Sequence, residues 1–270
     1  MKELIEKITK RQVILFVGAG ISATLGLPTW NKLMDYVALS LNIDPCIYKL
    51  YGDNLSLAEY YKLKKGTIGP LRSWMDKTWH IPDSEIMKSE ILKLICDMHF
   101  PIVYTTNFDN CLERAYGLYN CEYTKITKVE DICEINNSNL NTQLIKFHGD
   151  FEDDDSIVLT ESSYFKRMDF ESPLDIKLRS DSLGRSILFI GYSLSDINIR
   201  YLIYKLNKLW STSDNQKLKP KSYIFLDTPN PVQELILESR DIIPIIGEDS
   251  DPTANLLDFL KRIKPNVTYI

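Results

Sequence analysis

Val13-Ile14-Leu15-Phe16-Val17-Gly18-Ala19-Gly20-Ile21-Ser22 is the stretch on which the reading of this chain turns. Five consecutive apolar residues, most of them β-branched or aromatic and closed by glycine, fit a short strand buried on both faces. The glycines then make a tight turn, and a helix begins. A strand, a glycine turn and a helix start bring backbone N–H groups and a positive helix end up to a phosphate. With Ala23 the run fits G-x-G-x-x-G/A, so a dinucleotide is the first ligand class to consider.

Outward from this unit, the same alternation repeats. Residues 2–10 have helical spacing before the strand. Trp30 to Leu41 carries apolar residues at Trp30, Leu33, Met34, Val37, Ala38 and Leu41, and 55–65, 69–79 and 85–98 are also helical. No second strand appears until Ile102-Val103-Tyr104-Thr105-Thr106, which makes 42–98 a helical insert. A helix over 110–116 and a polar loop over 135–142 follow. Further strands fall at 143–147, 156–159, 186–190, 223–226 and 242–246, separated by helices near 161–168, 173–182, 195–210, 231–239 and 253–263. The pattern predicts a Rossmann-like α/β fold, a doubly wound parallel sheet with helical inserts. No Gly/Ser or Pro linker divides the chain, so residues 1–270 read as one domain.

The 270 residues carry 44% hydrophobic side chains, enough to close a core, and a net charge of −5. That charge argues against a surface built to hold nucleic acid or anionic lipid, so no direct nucleic-acid binding is expected. No window approaches a membrane span, and the charged start Met1-Lys2-Glu3-Leu4-Ile5-Glu6 lacks the apolar core of a signal peptide. Cys46, Cys96, Cys111, Cys121 and Cys133 form no C-x-x-C pair. Reduced thiols and a cytoplasmic location follow as expectations.

The unusual polar residues gather just past the strand ends. They are Gly18-Ala19-Gly20 after the first, Asn107-Phe108-Asp109 after the second, His148-Gly149 after the third, Gly191-Tyr192-Ser193 after the fourth and Asp227-Thr228 after the fifth. In a parallel sheet these ends share one edge, where ligands bind. Each has a plainer explanation: glycines serve tight βα turns, Asn107 and Asp109 cap a helix, and a single histidine packs. Glu152 to Asp155 reads as a solvated turn whose spacing fits no calcium loop, and the lysines of 217–221 as a solvated loop. A dehydrogenase unit would return to a second strand within about 30 residues, ending in an acid for the ribose. Here Gly26-Leu27-Pro28 interrupts the helix and no such strand follows, which weakens hydride transfer. G-x-x-x-x-G-K-[ST] is absent, which disfavours a P-loop NTPase.

Together these segments resemble the sirtuin family. Gly18-Ala19-Gly20-Ile21-Ser22-x-x-x-Gly26-Leu27-Pro28 is similar to its G-A-G-I-S-x-x-x-G-I-P, Thr106-Asn107-Phe108-Asp109 to T-Q-N-x-D, His148-Gly149 to its catalytic H-G, and Gly191-Tyr192-Ser193-Leu194 to G-T-S-L. Three departures stand out. Thr29-Trp30-Asn31 replaces Asp-Phe-Arg, Thr106 replaces the glutamine, and no cysteine follows Cys133 to build the zinc module. With Ser156 to Tyr164 and Gly191 to Asp196, the chain looks like the bacterial sirtuin-like branch, whose members consume NAD in anti-phage defence.

The resemblance implies an NAD glycohydrolase that releases nicotinamide and ADP-ribose, with NAD as substrate and no zinc or other metal. It assigns Asn107 to the ribose and water, and His148 as general base. Gly18, Ala19, Gly20 and Ser22 go to the pyrophosphate, Phe108 and Asp109 to the nicotinamide carboxamide. Gly191, Tyr192 and Ser193 go to the phosphate and ribose, and Asp227 to the adenosine ribose. Thr29 and Trp30, standing in the Asp-Phe positions, join the cofactor-binding set. A protein deacylase and a non-catalytic NAD or ADP-ribose sensor are the alternatives. Because free NAD cleavage would drain the cell, the expectation includes restraint. This would come from homo-oligomerisation or a partner subunit, a hexameric ATPase of the HerA type or a short Argonaute by family analogy.

Overall fold

Val13–Val17 forms β1, the middle strand of a seven-stranded, all-parallel sheet in the order β3-β4-β2-β1-β5-β6-β7. The computed structural model describes all residues except 136–140, 154–155, 170, 195, 213–214, 216–217 and 266–270. Its other strands are β2 (Ile102–Thr105), β3 (Tyr123–Ile126), β4 (Thr142–Lys146), β5 (Ser186–Ile190), β6 (Ser222–Leu226) and β7 (Ile242–Ile246). The chain moves from β1 outward through β2 to β3 and β4, then crosses back to place β5 on the other side of β1. β1 and β5 therefore flank the topological switch point, where the loops leaving a parallel sheet diverge.

Side chains of successive strand residues point to opposite faces, and each face has its own cover. On one side Val13, Leu15, Val17, Leu188 and Ile190 pack against α1 (Lys2–Thr9), α8 (Glu90–Asp97), α9 (Cys111–Leu118) and α14 (Pro252–Ile263). On the other, Ile14, Phe16, Tyr104, Ile145 and Phe189 meet α11 (Pro173–Leu183), α12 (Ile197–Ser211) and α13 (Pro231–Glu238). All five side chains of β1, and all five of β5, are buried, which is why β1 and, after Ser186, the rest of β5 read as apolar runs.

A third core lies beyond the carboxyl edge. Leu33, Met34 and Val37 of α3 (Trp30–Ser40) pack with Tyr61 of α5 (Asn54–Lys65), Leu71 and Met75 of α6 (Gly69–Thr78), and Phe108, Ile157 and Leu159. The helical insert thus roofs the strand ends. Its last part, α7 (Asp83–Lys88) and α8, instead contributes Ile86, Ile91 and Ile95 to the sheet core. Ser89 separates these two helices by capping α8 through Leu92 N–H, where the spacing predicted one helix over 85–98.

Two other expectations differ. Residues 156–159 form no strand: Val158 N–H donates to His148 O, while Ile157 and Leu159 turn into the third core. Ser163 Oγ then accepts from Leu159 and Thr160 N–H and starts α10 (Glu161–Phe165). Conversely, β3 was not foreseen, because four half-polar residues at a sheet edge carry little periodic signal. Most of the polar loop at 135–142, half of the acidic turn at 152–155 and part of the lysine loop at 217–221 lie outside the described residues.

Candidate active site

The phosphate turn is built by backbone contact between β1 and β5. Gly18 N–H donates to Ile190 O at 3.0 Å and Gly20 N–H to Gly191 O at 2.8 Å. A Cβ on Gly18 would lie 2.3 Å from Gly191 O, so only glycine lets these chains approach. Two N–H groups of the turn are thereby already engaged, and exposed Ala19 carries the remaining one between them. Ala19 opens α2 (Ala19–Ala23).

A buried hydrogen-bond network ties this turn to the loop after β2. Thr105 Oγ1 donates to Val17 O and accepts from Asn107 N–H, both at 3.0 Å. Asn107 Nδ2 donates to Gly18 O at 3.2 Å and to Ser22 Oγ at 3.0 Å. Ser22 Oγ in turn donates to Asp109 Oδ2 at 2.8 Å, and Asp109 Oδ1 accepts from Cys111 N–H at the start of α9. Asp109 is thus both a helix cap and a member of the network. In front of it opens a small cleft lined by Ala19, Ser22, Trp30, Trp79, Asn107 and Asp109, with Phe108 in its wall.

His148 occupies a separate, enclosed position. The parallel register pairs Thr105 with Lys146, so Asn107 and His148 leave adjacent strands at the same level, two residues further on. His148 is buried and its ring does not line the cleft. Nε2 lies 3.2 Å from Asp196 Oδ2 but off the hydrogen-bonding direction, and Nδ1 lies 3.5 Å from Tyr164 OH. Tyr164 OH also reaches Asp196 Oδ2 at 3.4 Å, while Asp196 Oδ1 caps α12 through Asn198 and Ile199 N–H. Burial holds the His148 imidazole down at about 4 against the upward pull of Asp196, so it is neutral at neutral pH. Gly149 follows at φ 94°, and a Cβ there would meet Ser156 O at 2.3 Å.

Tyr192 stands between the two regions. It packs over Gly18, and its buried hydroxyl, with no well-aligned partner among the described residues, has Thr106, Tyr164 and Asp196 as polar neighbours. Burial, with Asp196 and Tyr164 beside it, drives the phenol far above its ordinary range, against a smaller downward pull from Thr106.

Of the residues singled out in the sequence, Ala19, Ser22, Trp30, Asn107, Phe108 and Asp109 thus share the cleft. Gly18, Gly20, Gly191 and Tyr192 form its adjoining turn, and His148 sits behind. Thr29, the exposed cap position of α3, does not line the cleft, nor do exposed Ser193 and Asp227. Ser193 O accepts from Gln233 Nε2 at 3.2 Å and Asp227 O from Asn255 Nδ2 at 3.4 Å. Trp79, whose buried indole N–H has no hydrogen-bond partner among the described residues, was not foreseen, and no local pattern marks it. Asp196 had no assigned role either: the spacing puts it inside a helix over 195–210, and the structure makes it the cap of α12. Among the described residues no group of three or more His, Cys, Asp or Glu side chains is placed to hold a metal ion, and no helix is long and apolar enough to cross a membrane.

A parallel sheet with a glycine turn at its switch point and Asn107 and His148 at adjacent strand ends defines a Rossmann-like α/β protein of sirtuin type. Residues 101–245 match the family model of the SIR2-like domain, and the chain belongs to that family. It is 28% identical over 219 residues to NAD(+) hydrolase ThsA of Enterococcus faecium, covering 80% of this chain and 44% of that protein. Its similarity to NAD(+) hydrolase ThsA of Bacillus cereus (strain MSX-D12) is 24% over 214 residues, covering 78% of this chain and 43% of that protein. Defense-associated sirtuin 2 of Bacillus subtilis is 27% identical over 274 residues, 97% of this chain and 26% of that protein. The chain spans less than half the length of these relatives.

Proposed function

We propose that this chain hydrolyses the nicotinamide–ribose bond of NAD. The observation that carries the reading is the register of β2 and β4, which sets Asn107, the cleft amide, level with a neutral His148. Nicotinamide leaves from a cationic ring and takes the bonding pair of the C1′–N bond with it, so no acid is required. The protein has to hold the ribose, stabilise a transition state of oxocarbenium character and accept one proton from the attacking water, whose oxygen bonds C1′. Asn107, fixed on Gly18 and Ser22, holds the ribose and the water. His148, neutral and close to Asp196 and Tyr164, takes the proton directly or through a ribose hydroxyl. Trp30, Trp79 and Phe108 enclose the nicotinamide ring beside the Asp109 carboxylate. The turn at Ala19 and the end of β5 receive the pyrophosphate, and Ser193 and Asp227, further along the same sheet edge, the ribose and adenosine end.

We place this activity in anti-phage defence, a reading supported by the name of the Bacillus subtilis relative, Defense-associated sirtuin 2; a cytoplasmic location and chemistry without zinc are part of the same proposal. Restraint by homo-oligomerisation or a partner subunit belongs to the same proposal, and light scattering of the purified chain tests the first. The decisive assay follows nicotinamide release from NAD with and without an acetylated peptide. Peptide-independent release that disappears in Asn107→Ala and His148→Ala is expected. Release only with peptide would make the protein a deacylase.

A further inference from the structure

Lys146 is out of keeping with its surroundings. It ends β4 within the run Leu144-Ile145-Lys146-Phe147, and its side chain is 0% exposed. Nζ crosses beneath the end of β2 and donates to the main-chain carbonyl of Asp109. It lies 3.0 Å from Glu113 Oε1, in the first turn of α9, and 4.0 Å from Asp150 Oδ2. Glu113 is buried as well, and burial pushes its carboxyl up against the pull of Lys146. Asp150 is shared with Lys125 of β3 at 3.4 Å.

Such a pair contributes little to stability. Desolvation offsets the attraction of the charges, and apolar residues of similar volume often replace a buried ion pair without loss. What the ammonium does supply is position. The loop from Thr105 to Asp109 is anchored at its start by Thr105 Oγ1 and Thr105 O, and in its middle by Asn107 on Gly18 O and Ser22 Oγ. At its end, Ser22 Oγ and Cys111 N–H hold the Asp109 carboxylate, and Lys146 Nζ the Asp109 carbonyl. Phe147 N–H, donating to Thr105 O at 2.7 Å, already holds the start of the loop to the segment that carries His148; at the far end of the loop Lys146 Nζ is the tie to β4.

We propose that Lys146 is a positioning residue: by clamping the Asp109 carbonyl it fixes Asn107 and Asp109 relative to His148, and Glu113 holds the ammonium in place. The proposal deepens, and rests on, the hydrolase reading of the cleft.

The test removes both charges together, so that neither is stranded: Lys146→Met with Glu113→Leu, and separately Lys146→Gln with Glu113→Gln. Three quantities are measured on the full chain: cooperative melting, hydrogen exchange of the amides of 106–110, and NAD cleavage with kcat and KM resolved. The expected result is near-native melting, faster exchange confined to 106–110, and a kcat lowered by roughly 100-fold, the scale of an ångström-level misplacement, with a smaller change in KM. Unchanged exchange in the loop overturns the proposal. So does loss of protection throughout the sheet, or failure of both neutral pairs to melt cooperatively, since the pair would then be a folding determinant. If the isolated wild type releases no nicotinamide, being a sensor or a restrained hydrolase, the exchange measurement still decides whether Lys146 fixes the loop.

Discussion

The wall of the cleft and the pocket behind it are built on opposite principles. Around Ser22, the carboxylate of Asp109, the amide of Asn107 and the hydroxyl itself are joined by well-formed hydrogen bonds into one buried chain. Around His148, polar groups are just as buried but poorly matched: Nε2 of the imidazole, the Tyr192 hydroxyl and Asn198 Oδ1 have no well-aligned partner among the described residues. A satisfied network makes a rigid surface, whereas unmatched polar atoms in a low dielectric keep a group reactive and its protonation state displaced. In the proposed function the rigid part would hold substrate and the mismatched part would perform proton transfer.

The sharpest way to break this contrast is to remove one residue from each side. His148→Ala is expected to lower NAD cleavage by roughly 10²–10⁴-fold, the range of a general base, while the protein still melts cooperatively. Residual turnover close to wild type would take the base role away from His148.

Next in size is the dependence of stability on acid. The native imidazole of His148 titrates at about 4 and an unfolded one near 6.5, so the unfolded chain takes up the proton first as pH falls. Stability tied to the neutral ring is complete above 6.5 and lost progressively down to about 4, by up to about 3 kcal/mol. Burial lowers His99 in the same direction, so the informative quantity is the difference between wild type and His148→Gln. Urea midpoints from pH 7.5 to 5 should fall more steeply for the wild type; parallel slopes would mean the ring is not held neutral by burial.

On the satisfied side, Ser22→Ala leaves Asp109 and Asn107 each short of a partner and should cost about 1–3 kcal/mol of unfolding free energy. An unfolding midpoint unchanged by this substitution would show that the network is not fixed. The smallest effect is expected from Asp196→Asn. Its carboxylate raises the His148 pKa, so the acid limb of kcat/KM against pH should move lower still. A limb moving upward would reverse the assigned electrostatics.

The sequence made the front of the site legible and left the rear obscure. Asn107, Ser22 and Asp109 follow strands whose apolar runs are unmistakable; β1, β5 and β7 match the expected bounds throughout. Asp196, Trp79 and Lys146 act through neighbours distant in the chain, and nothing local distinguishes their roles from those of a cap, a packing aromatic or a stray charge. The run at 156–159 misled for a related reason. Its apolar residues meet a core supplied by the insert and by Phe108, and packing there replaced pairing in the sheet.

The contact between Gly18 and Gly191 also orders events in time. β1 pairs with β5 across most of the length of the chain, and long-range pairings of this kind form slowly because a large loop must close first. The turn that opens the sequence therefore acquires its final shape only after Ser186–Ile190 has been synthesised and docked. A nascent chain that has released β1, β2 and β4 carries Asn107 and His148 but no finished turn beside them, so the site as a whole is completed at a late step of folding.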